Sequence, residues 1–548
     1  MGPGLARLAG ALLLLNALLL FPRWLPGGGL GPPWFALESA LVVGAFALLP
    51  RRGWSVALAA AASLAAVVVG VVGFGDALAR MSLARPLNLY LDLHLAGAVL
   101  NLLSGTMGEV RAWVLALAFS LGAVALVVVL TWLLLPERSR TPAWSRWGVG
   151  VVLVVLFTAG LAGERNAVRG SALSMPGVDL TRAQWRHLGR MMEEREHFGA
   201  LLEGEPSSYA HLPDLLQRLR DRDVILAFIE SYGMTALDDP RYAPVILPRL
   251  EEMEDRLRAA GLHLATGTLV ASTQGGQSWL AHASLLSGLW VDSQLRYDLL
   301  LAANRETLVD DFRQAGHRTV ALMPAITLPW PEGERLGYDR IHAFRDIDYR
   351  GPPLNWVTMP DQFTWWYLER EIRRGGDGRP LFAEVGLISS HAPWTPVLPV
   401  LDDWEAIGDG SIFHRWADAG ESPVELWRDH DRVREHFALS VDYALNAMVG
   451  YAERFVDEGT LLIALGDHQP APLITGEGSG WGVPVHVISG DPRLLEPFLA
   501  WGFVPGAIPD PEGPERGMDH FRDWFVPAFS VPFEGTSESL DDGEDGDA

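Results

Sequence analysis

The chain has 548 residues, a net charge of −24, no cysteine, and arginine as its only strongly basic residue type. That length suggests two or three compact units. The acidic balance argues against a general nucleic-acid binder, because neutralising phosphates takes a basic face, and the lack of cysteine excludes disulfides, thiolate metal sites and a cysteine nucleophile.

In chain order, residues 1–163 are dominated by Leu, Ala, Val and Gly. Stretches 5–22, 34–50, 54–75, 110–135 and 147–163 approach the length that spans a bilayer, about 20 residues, and predict a domain of five transmembrane helices. The first reads as a retained helix, since no convincing small-residue cleavage site follows it and more spans do. Residues 87–104 contain Asp92 and His94, which are costly in a bare bilayer core, so an interfacial or re-entrant helix is expected there. With five spans, Arg7, Arg51, Arg52, Arg138, Arg140 and Arg146 fall on one side. That side is then cytoplasmic, and everything after residue 163 is periplasmic or extracellular, in a multi-pass protein of the inner (plasma) membrane. A sixth span would separate the two basic loops.

Residues 164–222 form a helical linker, with "LTRAQWRHLGRMMEEREHFGALL" amphipathic. From 223 to 530 strands and helices alternate. "DVILAFIE", "HRTVALM", "RPLFAEVGLIS", "TLLIALG" and "GVPVHVISG" read as strands. "PVILPRLEEMEDRLRAAG", "NRETLVDDFRQAG" (capped by Asn304, stopped at Gly316) and "EHFALSVDYALNAMVGYAERFVDEG" read as helices. The fold class is α/β, with a mostly parallel central sheet covered on both faces. Residues 531–548, ending "DDGEDGDA", read as a disordered acidic tail.

Ligands of such sheets gather at the carboxyl ends of the strands, and three of those ends carry polar residues. "VILAFIESYG" ends on Glu230, "TLLIALGDHQP" on Asp467 and His468, and "AEVGLISSHAPWTP" on His391 and Trp394. Glu, Asp and His together make a mixed O/N site for one divalent cation, Mn, Mg or Zn. In "STQGGQSWLAHASLLSGL", Ser278 opens a helical pattern, where N–H groups and the helix dipole favour a phosphoryl group. If the cation also touches Ser278, its hydroxyl ionises more easily and attacks phosphorus. Each residue also has a plain reading: a solvated Glu, a chance Asp-His pair, a Ser that is only an N-cap. Their joint placement at successive strand ends favours the site. His282 lies one turn beyond Ser278, or is a helix-surface residue. His486, inside an apolar strand, is a satisfied core histidine or a phosphate contact. Trp394 stacks on a head group or caps the core.

These motifs resemble the alkaline phosphatase superfamily. "SWLAHASLLSG" is similar to the sulfatase signature, and "FIESYG", "SSHAPWTP" and "LGDHQP" resemble segments of lipoteichoic acid synthase and of phosphoglycerol and phosphoethanolamine transferases. The resemblance covers roughly residues 215–500 and the membrane layout. It implies Glu230, Asp467 and His468 as metal ligands, Ser278 as a further ligand and nucleophile, and His391 at a phosphoryl or leaving-group oxygen. It also implies Trp330 and Arg335 at a head-group pocket; His282, Trp394 and His486 are further substrate-binding candidates from their positions in the sequence. Leu280 and His282 replace the signature Pro and Arg, which disfavours sulfate-ester hydrolysis, and a single Glu after the first strand fits one metal. The implied function is a membrane-anchored phosphotransferase. It would move a phosphoglycerol or phosphoethanolamine type group from a phospholipid donor to a glycan or lipid acceptor through phospho-Ser278. A hydrolase of the same fold, or a non-catalytic membrane scaffold or sensor, are the alternatives.

Overall fold

A computed structural model describes residues 3–25, 33–50, 52–93, 95–135, 143–164, 173–204, 208–303 and 305–531. Arg51, His94, Arg138, Arg140, the Asn304 cap, the side chain of Arg146 and the acidic tail from residue 532 lie outside the described residues. Contacts divide the chain into two compact units, Met1–Glu194 and Arg195–Ala548.

The first unit contains helices α1 (Pro3–Trp24), α2 (Leu37–Leu48), α3 (Gly53–Leu83), α4 (Leu89–Asp92), α5 (Leu95–Met107), α6 (Glu109–Leu134), α7 (Ala143–Glu164) and the start of α8 (Pro176–Gly204). Two short strands, β1 (Phe35–Ala36) and β2 (Leu173–Ser174), pair in parallel. Five crossings were expected, and three of the five stretches give helices long and apolar enough on their described residues. Among the described residues only Gly4–Trp24, Gly53–Leu83 and Glu109–Leu134 are long and apolar enough to cross a membrane. The 34–50 stretch yields just 12 helical residues in α2, about 18 Å of rise against a hydrocarbon core of about 30 Å. The described apolar part of α7, Trp147–Thr158, is also short. These two helices pack on each other through Gly44 and Gly150, where a Cβ on Gly150 would lie 3.1 Å from the Gly44 carbonyl oxygen, a close approach that small residues permit in apolar bundles.

Directions within this unit follow from its contacts. Gly70 and Gly73 of α3 abut Leu18 and Pro22 of α1, so those helices run parallel. Arg7 near the head of α1 donates to the Trp132 carbonyl near the tail of α6 at 2.5 Å, so α6 runs the other way. Within residues 87–104, expected to be interfacial or re-entrant, the helices are α4 and the 13-residue α5. The buried Asp92 is paired with Arg85 at 2.7 and 3.0 Å and accepts the Asn88 N–H at 2.8 Å, so its charge is not bare.

The second unit is built on a sheet of nine strands: β3 (Asp223–Ile229), β4 (His263–Val270), β5 (Arg318–Met323), β6 (Arg340–Ala343), β7 (Leu381–Leu387), β8 (Thr460–Gly466), β9 (Gly482–Ser489), β10 (Val504–Pro505) and β11 (Arg516–Gly517). Their order is β10-β4-β9-β8-β3-β7-β5-β6, with β11 beside β4. The run β8-β3-β7-β5-β6 is parallel, and β9 is antiparallel to both of its neighbours, so the sheet is mixed with a parallel centre. Residues of β3 alternate between two cores, Ile225, Ala227 and Ile229 on one face and Val224, Leu226 and Phe228 on the other, as a strand covered on both sides requires. Strands β4, β6, β10 and β11 were not anticipated. The helix expected at 304–316 is Leu308–Gln314, capped by Thr307, whose N–H donates to Asp310 at 2.8 Å.

Gly466 closes β8 where no side chain fits: a Cβ there would stand 1.8 Å from the Tyr232 carbonyl oxygen. Gly466→Ala is therefore expected to destabilise the second unit by about 3 kcal/mol, measured by denaturant unfolding of the full chain.

Candidate active site

The parallel pairing of β3 and β8 sets Ile229 opposite Gly466, so Glu230 and the Asp467–His468 pair leave the sheet side by side. Ser231, held at φ +57°, turns the chain after Glu230. Its N–H donates to Asp467 Oδ1 at 2.7 Å and its hydroxyl donates to Glu230 Oε1 at 2.8 Å. The His468 N–H also donates to Asp467 Oδ1, at 2.7 Å. His468 Nδ1 lies 2.9 Å from the Gln469 carbonyl oxygen. A carbonyl only accepts, so Nδ1 carries the hydrogen and Nε2 presents its lone pair. That Nε2 is 3.6 Å from Glu230 Oε1 and 3.6 Å from Asp467 Oδ2.

Ser278 is the first residue of the helix Ser278–Ser287 and follows Gln277 at φ +65°. The preceding loop is tied to the end of β8 by the Gly275 N–H, which donates to the Gln469 carbonyl at 2.8 Å. Ser278 Oγ donates to Glu230 Oε2 at 3.4 Å and lies 3.3 Å from His468 Nε2. Ser231, Gln277 and Trp394 are all non-glycine residues in the left-handed region, and all flank this site, where such strain concentrates.

Ligand atoms of Glu230, Asp467 and His468 lie within 4.8 Å of one another. Burial, then the Glu230 charge, pushes Asp467 up to about 6. Burial alone would lower His468, but Asp467 and Glu230 outweigh it and the net shift is upward. Two carboxylate oxygens, a lone-pair imidazole fixed by a carbonyl and an adjacent hydroxyl fit a divalent cation such as Mg, Mn or Zn.

The other predicted residues divide. His391 stacks on Trp356 at 3.6 Å and 15°, its Nδ1 is 2.5 Å from the Ala392 carbonyl oxygen, and desolvation lowers it to about 4, with His468 and Asp467 among the charges it feels. His282 lies flat on Phe228 with Nδ1 at 2.7 Å from Glu384 Oε1. Trp394 is 5% exposed, stacks on Trp427 and donates to the Ser390 carbonyl, which matches its core-capping reading. Trp330 lies against Gly333 in the helix Pro331–Arg335 that it precedes, and exposed Arg335 reaches the Leu301 carbonyl; these neighbours are outside the cluster. His486 is not available to substrate. It is fully buried, with Nε2 at 3.0 Å from the Tyr232 hydroxyl and Nδ1 at 3.0 Å from Thr266 Oγ1, so both nitrogens are used. The site also holds residues that the sequence did not single out: Ser231, Trp356, Glu384 and Tyr338.

If the cluster binds a cation, purified protein carries about one equivalent of it. At a free concentration 100 times Kd the gain in stability is about 2.7 kcal/mol; Asp467→Asn loses both, as read by metal analysis and thermal unfolding. Burial holds His486 down to about 3, below its unfolded value. Its stability contribution is therefore complete above pH 6.5 and falls as pH drops from there toward 3, by up to about 1.4 kcal/mol per pH unit. His486→Gln should remove that share of the slope in denaturant midpoints measured between pH 4 and 7.

No family model matches the chain, and no curated protein matches it in sequence. Among solved structures it is similar to a lipoteichoic acid synthase, LtaP, from Listeria monocytogenes, at 11% identity and TM-score 0.35, over 53% of this chain and 70% of that one. It is similar to an alkaline phosphatase superfamily protein from Vibrio parahaemolyticus, at 13% identity and TM-score 0.32, over 54% and 68%. It is also similar to a phosphonate monoester hydrolase of Agrobacterium radiobacter, at 17% identity and TM-score 0.31, over 53% and 78%. Likeness at this level says nothing about chemistry, which rests on the geometry above.

Proposed function

We propose that the protein is a membrane-anchored, divalent-metal-dependent phosphotransferase. It moves a phosphoglycerol or phosphoethanolamine type group from a membrane phospholipid to a glycan or lipid acceptor outside the cytoplasm, through phospho-Ser278. The observation that carries this reading is the position of Ser278 Oγ, at a helix N-terminus and within 3.4 Å of both Glu230 and His468.

Glu230, Asp467, His468 and Ser278 would hold the cation, which supplies the positive charge that lowers the pKa of a nearby hydroxyl and offsets charge on phosphoryl oxygens. Ser278 gives up its proton and its Oγ bonds to phosphorus, while the bond to diacylglycerol breaks and the alcohol leaves with a proton. The N–H groups that open the Ser278–Ser287 helix stabilise the equatorial oxygens. His391 donates from Nδ1 to Ala392 and is neutral at physiological pH, so its Nε2 accepts a hydrogen bond from the entering hydroxyl and orients it.

The side assignment rests on the sequence, where Arg7, Arg51, Arg52, Arg138, Arg140 and Arg146 share one side of the expected layout and would be cytoplasmic. The start of α8 meets the C-terminal end of α1, where Asp179 pairs with Arg23 at 2.7 Å and Glu38 accepts the Gly177 N–H at 2.9 Å.

The test incubates full-length protein in phospholipid vesicles with head-group-labelled phosphatidylglycerol or phosphatidylethanolamine and Mn, Mg or Zn. An adduct of head group plus phosphate on Ser278 by intact mass is expected, with release of diacylglycerol. Ser278→Ala should lower turnover at least about 10³-fold. Free head-group phosphate as the only product would make the protein a hydrolase, and an unaffected Ser278→Ala protein with no adduct would refute the enzyme.

A further inference from the structure

Glu384 lies in the middle of β7, level with Leu226 of β3 and Ala321 of β5, and is 1% exposed. A carboxylate between two strands is costly unless its oxygens are bonded. Both are: Oε1 is 2.7 Å from His282 Nδ1, and Oε2 accepts from the Tyr338 hydroxyl. Burial, then the Glu384 charge, holds the Tyr338 phenol well above its usual range, so it remains a donor. Facing a carboxylate, His282 Nδ1 carries hydrogen. The ring lies on Phe228 at 3.7 Å and 15°, a face that favours a cation.

This leaves Nε2. Among the described residues nothing hydrogen-bonds it, and the side chain is 15% exposed. Ser278 and His282 are four residues apart on one helix, hence on one face, and helical side chains lean toward the N-terminus, here toward Ser278. Phe228, under the ring, projects from the same face of β3 as Glu230 two residues later. His282 is also among the charges that Asp467 feels.

We propose that Glu384 and Tyr338 are positioning residues that hold His282 with Nδ1 committed, so that Nε2 is left to hydrogen-bond a non-bridging oxygen of the phosphoryl group carried by Ser278. The proposal rests on the reading of Ser278 as the phosphoryl acceptor. A buried Glu that is merely well bonded would not need a histidine with one free nitrogen beside the cluster.

The test is a double-mutant cycle on full-length protein, with inorganic phosphate as probe and its Kd read by calorimetry at fixed Mg²⁺. His282→Gln should weaken phosphate about tenfold, and His282→Arg should restore most of it. Glu384→Gln should weaken it similarly in the wild-type background and add nothing in His282→Gln. Tyr338→Phe should act in the same direction, less strongly, and carries the cycle if thermal unfolding shows that Glu384→Gln does not fold. Losses that are equal with and without His282, phosphate binding unchanged in His282→Gln, or no binding by the wild type would each overturn the proposal. An intact cycle without a Ser278 adduct would refute the transferase and leave this pairing standing; an adduct without coupling would do the reverse.

Discussion

The site depends on the register between β3 and β8. Pairing Ile229 with Gly466 sets Glu230 beside Asp467, and hydrogen bonds across that pair, from the Asp467 N–H to the Ile229 carbonyl and from the Ser231 N–H to the Asp467 carboxylate, lock it. A slip of one residue would send Asp467 to the other face of the sheet and dissolve the cluster. The absence of a side chain at Gly466 is part of the same constraint, since Tyr232 passes directly over it. Ser278 depends on it too, because its loop hangs from the Gln469 carbonyl just past β8.

What the register brings together is electrostatically expensive. Asp467 is 2% exposed and His468 fully buried, and the carboxylates repel each other enough, with burial, to raise Asp467 to about 6. Backbone N–H groups of Ser231 and His468 offset part of the cost on Asp467, and the Ser231 hydroxyl does the same for Glu230. The ligand atoms of Glu230, Asp467 and His468 still lie within 4.8 Å of one another, a set of oxygen and imidazole donors that fits a divalent cation. The left-handed residues around it, Ser231, Gln277 and Trp394, are held there by the surrounding packing.

Four histidines in this unit show how little the residue type decides. His468 bonds a carbonyl and aims a lone pair into the cluster; His391 bonds a carbonyl and stacks on an indole. His282 is tied to a buried carboxylate, and His486 spends both nitrogens on Tyr232 and Thr266. The role of each follows from what occupies its other ring nitrogen and from how much water reaches it.

The alternation of apolar runs with turns was enough to place β3, β5, β7, β8 and β9, and the polar residues at their ends, because a strand and the turn that stops it are local in the chain. The start of the helix at Ser278 was legible for the same reason. Four strands were missed, the eight-residue β4 and the short β6, β10 and β11, and apolar length did not show that the 34–50 stretch yields only 12 helical residues in α2. Glu384 lies within the strand "LFAEVGL", and its partners Tyr338 and His282 lie 46 and 102 residues away. Local composition determined which residues stand at the sheet's edge. Only the tertiary structure decided which meet, because hydrogen bonds between distant segments exist only after the strands are in register.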